Sequence, residues 1–187
     1  AISHDKNWIY GEMFVSAMIS SAFVLEVAEQ IINAGLGEIP KNCRLARAVK
    51  DTLDWCKTHN AWIEVWEKIN ENYGHYHGVH TINNAALVVM GIWFGVNDFE
   101  AGIVNTVRGG WDTDCTGASV GSVLGAIFGA SKLPKKWTGV FNDTLKSAVA
   151  RHGENKISNL AKRTLQVANK ILHPTDQVET YVLDSSV

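Results

Sequence analysis

Apolar side chains recur every three or four positions along most of the chain, a spacing that places them on one face of an α-helix. The stretch Tyr10–Ala34 follows this period without a break and predicts one long helix. A second periodic segment begins after Asn42, a residue type that caps helices, and has Leu45, Val49 and Leu53 on one side. The first third of the chain is therefore predicted to form two helices.

The rest of the chain predicts about six more helices, from the same period and from capping signals. They cover residues 61–73, a segment starting at Thr81, a segment from the capping-box pair Asn97 and Glu100 to Gly109, a glycine-rich segment after Asp114, Thr138–Arg151, and Asn155–Leu172 with Leu160, Thr164, Val167 and Ile171 facing inward. Strand evidence is confined to residues 179–183. The pattern predicts an all-α fold, a compact orthogonal bundle of about eight helices in one domain over residues 1–187.

Composition narrows the class of protein. Of 187 residues, 46% are hydrophobic and 19% charged, and the net charge is -2, which is typical of a globular protein and argues against nucleic-acid binding through a basic patch. The three cysteines, Cys43, Cys56 and Cys115, match neither a zinc motif nor a disulfide framework, and the start of the chain has no secretory signal. We therefore expect a cytoplasmic protein.

The apolar run 117–131 is shorter than the ~20 residues that span a bilayer, so it predicts a buried helix and no membrane association. Within it, Gly117, Gly121, Gly125 and Gly129 lie four apart along one stripe. Each glycine costs about 1 kcal/mol relative to alanine in a helix interior, which close packing of a neighbouring helix would offset. The stripe predicts that this helix runs through the centre of the fold.

Two aspartates, Asp112 and Asp114, stand directly before this helix. One interpretation is that they cap it, although Thr116 can do so without them. The other is a metal site, because two close carboxylates repel unless a cation neutralises them, and Mg²⁺ prefers carboxylate and hydroxyl oxygens. Since Mg²⁺ takes six oxygen ligands, the pair supplies only part of such a site.

The segment GWDTDCTGASVGSVLGAIFG at 110–129 resembles the Gly-Gly-Asp-Thr-Asp-Thr motif and glycine-rich helix of the ADP-ribosylglycohydrolase family. Four other segments are similar to family segments in the same order, and they cover residues 2–23, 80–107, 133–137 and 157–168. The resemblance therefore extends over nearly the whole chain. It implies an all-helical enzyme that uses two Mg²⁺ ions to cleave the glycosidic bond of ADP-ribose attached to a protein or to another acceptor.

By resemblance, Asp112 and Asp114 are metal ligands, and the family's threonine ligand falls on Cys115, whose thiol is a softer and poorer ligand for Mg²⁺ than a hydroxyl. Trp111 replaces the second glycine, where its ring either stacks on adenine or ribose or belongs to the core. The family's Thr-Asp-Asp cluster and its glutamate have no counterpart in the sequence. We therefore expect a C-terminal portion that holds no catalytic residue, is inactive alone, and self-associates or pairs with a complementing N-terminal chain.

Histidines supply further candidates for substrate binding. His4 matches a family histidine near the ribose and phosphates, with a plain surface position as the alternative. His75, His77 and His80 do not share a helical face, which argues against a zinc site. His80 and Asn84 lie one turn apart, so they either face the cleft and support its ligands or serve as cap and loop residues.

The leading hypothesis is a metal-dependent hydrolase whose partners are ADP-ribosylated proteins or small molecules that contain ADP-ribose. Two alternatives remain open. One is a module that binds ADP-ribose or a nucleotide without turnover, and the other is a helical fragment in which the aspartates are only caps.

Overall fold

The computed structural model describes residues 5–173, and these residues contain nine helices, one 3-10 turn and one small hairpin. The helices are α1 (Asn7–Ser21), α2 (Ala28–Gly37), α3 (Arg44–Thr58), α4 (Trp62–Tyr73), α5 (Thr81–Gly95), α6 (Phe99–Arg108), α7 (Thr113–Phe128), α8 (Lys135–Thr138) and α9 (Ile157–Leu172). The predicted all-α class is confirmed. The chain divides into two compact units, Ala1–Leu133 and Pro134–Val187. A single domain over 1–187 stays a prediction.

Helix α5 forms the centre of the first unit. Every residue from Ile82 to Ile92 is buried, and α5 contacts each of the other six helices of the unit. One core cluster gathers side chains of α1, α2, α3, α5 and α7, and a smaller one joins Cys56, Val65 and Ile69 to α5. The expectation that the glycine-rich helix occupies the centre is therefore wrong.

The glycine stripe of α7 predicted the closest helix packing at α7, but the closest contact lies between α5 and α6. A Cβ added to Gly95 would stand 2.6 Å from the Cα of Gly102, so α5 and α6 cross backbone to backbone. In the stripe, a Cβ added to Gly117 or Gly121 would meet only side-chain ends of α6, at 3.2 and 3.4 Å, and one added to Gly125 would meet nothing within 4 Å. The stripe on α7 therefore packs against side chains and not against the backbone of a neighbouring helix.

The segment Tyr10–Ala34 forms two helices and not one. Helix α1 ends at Ser21, whose hydroxyl donates to the carbonyl of Met18, and α2 begins at Ala28. The chain folds back so that Gly35 of α2 packs on Phe14 of α1. Packing of α2 against α1 therefore breaks the segment into two helices, although its apolar period is continuous.

Two of the predicted caps are displaced by one residue. Cys43 caps α3 instead of Asn42, its Sγ accepting a hydrogen bond from the Ala46 amide, and Asp98 caps α6 instead of Asn97. The predicted starts of α4 and α5 agree with the structure within one residue.

In the second unit, a 3-10 turn (Gly139–Phe141) and a hairpin of β1 (Thr144–Lys146) and β2 (Glu154–Lys156) replace the helix predicted at 138–151. Asn142 and Asp143 have left-handed backbone angles that stop helix propagation, and both types tolerate them. The Asp143 carboxylate accepts hydrogen bonds from the amide and hydroxyl of Ser158, and these bonds lower the pKa of Asp143.

Helix α9 begins at Ile157, two residues after the predicted start. Val167 and Ile171, which were expected to face inward, are exposed. The strand evidence at 179–183 lies outside the described residues. Within residues 5–173, no helix combines the length and apolarity that crossing a membrane requires.

Candidate metal centre

The turn from α6 into α7 sets the geometry of the site. Gly110 and Trp111 have φ angles of 81° and 60°, two successive left-handed residues that reverse the chain before α7 begins at Thr113. Glycine adopts this conformation freely, whereas a residue with a Cβ pays roughly 1–2 kcal/mol. Trp111 adopts this conformation, and its ring packs on the core cluster that contains Leu87 and Met90.

The same turn is held by α4. The indole Nε1 of Trp66 donates to the carbonyl of Gly109 at 2.9 Å, and a Cβ on Gly109 would collide with Leu87 at 2.9 Å. The chain thus enters the turn at a fixed position against the buried face of α5.

Asn84 joins the centre of the fold to the aspartate segment. Its Oδ1 accepts from the Asp112 amide at 3.2 Å, and its Nδ2 donates to the carbonyls of Gly78 and His80, each at 2.8 Å. The side chain is buried on α5, so its amide has one orientation that satisfies all three partners. Asn84 therefore fixes where the backbone of Asp112 lies.

Asp112 occupies the N-cap position of α7, yet its side chain makes no capping hydrogen bond. The Thr116 hydroxyl does not cap the helix either, because it donates to the carbonyl of Asp112 at 3.0 Å. A carboxylate that caps a helix accepts hydrogen bonds from backbone amides, whereas the Asp112 carboxylate makes no such bond and interacts with Cys115. The interpretation that Asp112 caps α7 through its side chain therefore does not agree with the structure.

The carboxylates of Asp112 and Asp114 and the thiol of Cys115 form one donor set, in which the ligand atoms lie within 4.8 Å of one another. Two ligands on opposite sides of one ion lie at about twice the metal–oxygen distance of ~2.0–2.6 Å, so the set fits around a single cation. Asp112 is half-buried, while Asp114 and Cys115 are exposed. Three donors leave the other positions of a six-coordinate ion to water or substrate oxygens.

The two carboxylates affect the thiol of the donor set. A hydrogen bond to Asp112, followed by burial and by the negative charges of Asp112 and Asp114, raises the pKa of the Cys115 thiol. The other two cysteines have structural surroundings. Cys43 caps α3, and burial raises the pKa of Cys56 to about 12.

A cavity of about 230 Å³ opens beside the donor set, with Asp112 and Cys115 in its wall. Helices α1 and α5 also contribute to the wall, and their residues Val15 and Val88 give it apolar surface. Its polar wall residues include Glu12, Thr81, Asn84 and Ser119. The cavity thus pairs two potential ligands with both apolar and hydrogen-bonding surface, as small-molecule sites do.

His80 is not among the wall residues of this cavity, but it contacts one of them. Its Nδ1 accepts the Ile82 amide at 3.1 Å, so His80 caps α5, and its ring centroid lies 5.5 Å from Trp8, a wall residue, and 4.6 Å from Tyr76. Burial, followed by the positive charges of Arg44 and His77, lowers the pKa of His80. The neutral ring fits this role, because Nδ1 must keep its lone pair to accept the hydrogen bond from the Ile82 amide.

The structure brings Asp112, Asp114, Cys115 and Asn84 together, and His80 contacts the wall residue Trp8 without lining the cavity itself. Trp111 is not in the described cavity wall but packs against the core, and His4 lies outside the described residues. Sequence reasoning missed Trp8, Glu12 and Ser119 in the wall. No local signal separates Trp8 and Glu12 from other α1 positions, whereas Ser119 follows Cys115 by one helical turn, which places both on one face.

The family model described as ADP-ribosylglycohydrolase matches residues 1–172. No curated protein and no solved structure matches the chain.

Proposed function

Because the chain belongs to the ADP-ribosylglycohydrolase family, we propose that it serves in metal-dependent cleavage of the glycosidic bond between ADP-ribose and a protein or small-molecule acceptor. The family supports hydrolysis of a glycosidic bond. The observation that supports the metal is the donor set Asp112, Asp114 and Cys115 beside the cavity, with Asp112 unused as a cap.

Asp112 and Asp114 bind the cation and provide the negative charge that holds it. Asn84 acts as a positioning residue, because its bond to the Asp112 amide fixes the backbone from which that carboxylate projects. A bound divalent cation polarises coordinated oxygens and lowers the pKa of a bound water. The proposal assigns no general base to the described residues.

The cavity suits the sugar rather than the whole ligand. Its volume of about 230 Å³ is below the ~300–1,000 Å³ of sites that enclose drug-sized molecules. In this arrangement the ribose occupies the cavity beside Asp112, Val15 and Val88, and Thr81 and Ser119 are wall residues with hydroxyls that can bond those of the sugar. The rest of ADP-ribose extends beyond this cavity.

Cys115 sets the class of metal within this proposal. A thiolate prefers Zn²⁺ and other softer ions over Mg²⁺, whose ligands are oxygens. We expect the chain to favour Zn²⁺ or Co²⁺ more than a threonine-bearing site does. Cys115→Thr is the matched variant, and it raises affinity for Mg²⁺ while it lowers affinity for Zn²⁺, both measured by isothermal titration.

The proposed function is tested by titration of ADP-ribose into the chain with Mg²⁺, with Co²⁺ and with a chelator. Saturable binding that requires metal supports the proposal. Tight binding that persists unchanged in the chelator contradicts its metal-dependent part. It would favour a second function, a binding module without turnover, which the replacement of the family's threonine by Cys115 also supports.

A further inference from the structure

A second cleft, of about 290 Å³, lies between the start of α3 and the end of α4. Its wall consists of Arg44, Arg47, Asp51, Asn72, Tyr73 and Tyr76. None of these residues belongs to the donor set or to the wall of the first cavity. The composition is unusual because two guanidinium groups share a small cleft with a single carboxylate.

That carboxylate is already engaged. The Tyr73 hydroxyl donates to Asp51 Oδ2 at 2.5 Å, and burial together with this bond raises the pKa of Tyr73, so the phenol remains a donor. Arg47 reaches the same oxygen only through Nε at 3.9 Å, beyond hydrogen-bond distance. Most N–H groups of Arg47 therefore remain available to a ligand, and its side chain is 82% exposed.

Arg44 adds a second positive group to the cleft. Within residues 5–173 no ion pair or side-chain hydrogen bond involves Arg44. Its positive charge contributes to the lowered pKa of His80. Two amides in the first turn of α3 already have acceptors, because Leu45 donates to Asn7 Oδ1 and Ala46 donates to Cys43 Sγ. Recognition in this cleft therefore rests mainly on the side chains.

We propose that Arg44 and Arg47 form a binding site for a phosphoryl group. Two guanidinium groups match the several oxygens of a phosphate, which arginine binds through paired N–H groups. Asn72 and Tyr76, also in the wall, add polar side-chain atoms that can bond the phosphoryl group or its substituent. The cleft volume fits a phosphoryl group with a small substituent.

The site lies next to the first cavity. Tyr76 belongs to the wall of the cleft and stacks on His80 with centroids 4.6 Å apart, and His80 lies 5.5 Å from Trp8 in the wall of the cavity. The phosphoryl group comes either from a separate phosphorylated molecule or from ADP-ribose itself. The proposal does not depend on metal binding or on hydrolysis.

The test is a titration of the ¹⁵N-labelled chain with pyrophosphate, followed by NMR of backbone amides and arginine Nε groups. We expect saturable shifts at Arg44, Arg47 and Tyr76. Arg44→Gln or Arg47→Gln weakens binding about tenfold or more, since each removes charge-assisted hydrogen bonds. Lys50→Gln is the matched control, because it removes one positive charge from the same helix outside the cleft wall and leaves affinity unchanged.

Equal weakening by Lys50→Gln, equal shifts with acetate, or undiminished binding in the Arg44→Gln, Arg47→Gln double variant would overturn the proposal. Titration with ADP-ribose distinguishes the two sources of the phosphoryl group. An affinity unchanged in the double variant assigns the cleft to a separate molecule, and a tenfold loss assigns it to the phosphates of ADP-ribose.

Discussion

Asp98 and Asp112 occupy the same position, directly before a helix, and their carboxylates do different things. At α6, Asp98 Oδ1 accepts the Ala101 amide at 3.1 Å, as a capping aspartate does. At α7, Asp112 makes no such bond, and its carboxylate lies near Asp114 and Cys115 beside a cavity. The same residue type thus stabilises a helix in one place and remains available for a ligand in the other.

Backbone geometry explains the difference. Asp98 has extended angles, φ -146° and ψ 98°, from which its side chain folds over the first turn. Asp112, with φ -90° and ψ 71°, follows two left-handed residues and has its amide bound by Asn84. The turn therefore directs the carboxylate away from the α7 amides, and position before a helix does not by itself identify a cap.

The largest expected effect is on metal affinity. Asp112→Ala removes a ligand, so we expect Co²⁺ affinity to fall by more than the ~10–100-fold typical of losing an outer-shell partner. Asp98→Ala is the control and leaves affinity unchanged, because Asp98 lies outside the donor set. Isothermal titration measures both variants, and an equal loss in the two would break the comparison.

Asn84→Ala tests how Asp112 is positioned. We expect metal affinity to fall by about 10–100-fold, as for other outer-shell partners. The free energy of unfolding falls by roughly 1–3 kcal/mol, because buried partners lose their hydrogen bonds. Asn83→Ala is the matched control, since Asn83 is also buried and donates to the His77 carbonyl, and its bonds in the described residues include one long contact from Asn84, at 3.5 Å, and none to Asp112. Equal loss of metal affinity in both variants would show a general effect of destabilisation.

The free energy of unfolding tests whether Asp98 caps its helix and Asp112 does not. Asp98→Ala lowers the free energy of unfolding by about 1 kcal/mol through loss of the cap. Asp112→Ala changes it by less than about 0.5 kcal/mol, because the lost attraction to the helix dipole is offset by relief of repulsion with Asp114. Urea unfolding without metal measures both, and an equal cost for the two variants would mean that Asp112 is also a cap.

His80 gives the smallest effect, a dependence on pH. Above its ordinary pKa of 6.5, His80 is neutral in folded and unfolded chains, and its stabilising contribution is fully present. As pH falls, the unfolded chain binds the proton first, because the folded pKa is lower, and this contribution is lost through the folded pKa.

His80→Asn keeps a capping side chain that does not titrate. Between pH 8 and pH 5, we expect the wild-type chain to lose more unfolding free energy than the variant, by less than about 1 kcal/mol. Urea unfolding across this range measures the difference. Parallel profiles for the two chains would mean that His80 does not contribute in this way.

Much of this comparison could be predicted locally. Residues 112, 114 and 115 are adjacent, so a single turn brings them together, and the caps of α5 and α6 lie within one residue of their sequence signals. The left-handed conformation of Trp111 could not be predicted from tryptophan itself. The only signal for it was that the resembling family motif has a glycine at this position. Local pattern thus predicts elements and short motifs.

Long-range contacts account for what sequence reasoning missed. The bond between Asn84 and Asp112 joins residues 28 apart, and the close crossing lies at Gly95 and Gly102, where no periodic stripe draws attention. The helix predicted over 138–151 failed because two left-handed residues and a pairing with β2 compete with the helical period. Such contacts depend on which elements meet in space.

The most direct measurement is the absorption spectrum of the chain titrated with Co²⁺. A thiolate bound to Co²⁺ gives a near-ultraviolet charge-transfer band, and Cys43 and Cys56 are engaged in a cap and in the core. We predict one Co²⁺ per chain, with a band that disappears in Cys115→Thr and binding that is lost in Asp112→Ala. Absence of the band, or unchanged binding in Asp112→Ala, would contradict the claim that these side chains hold a metal together.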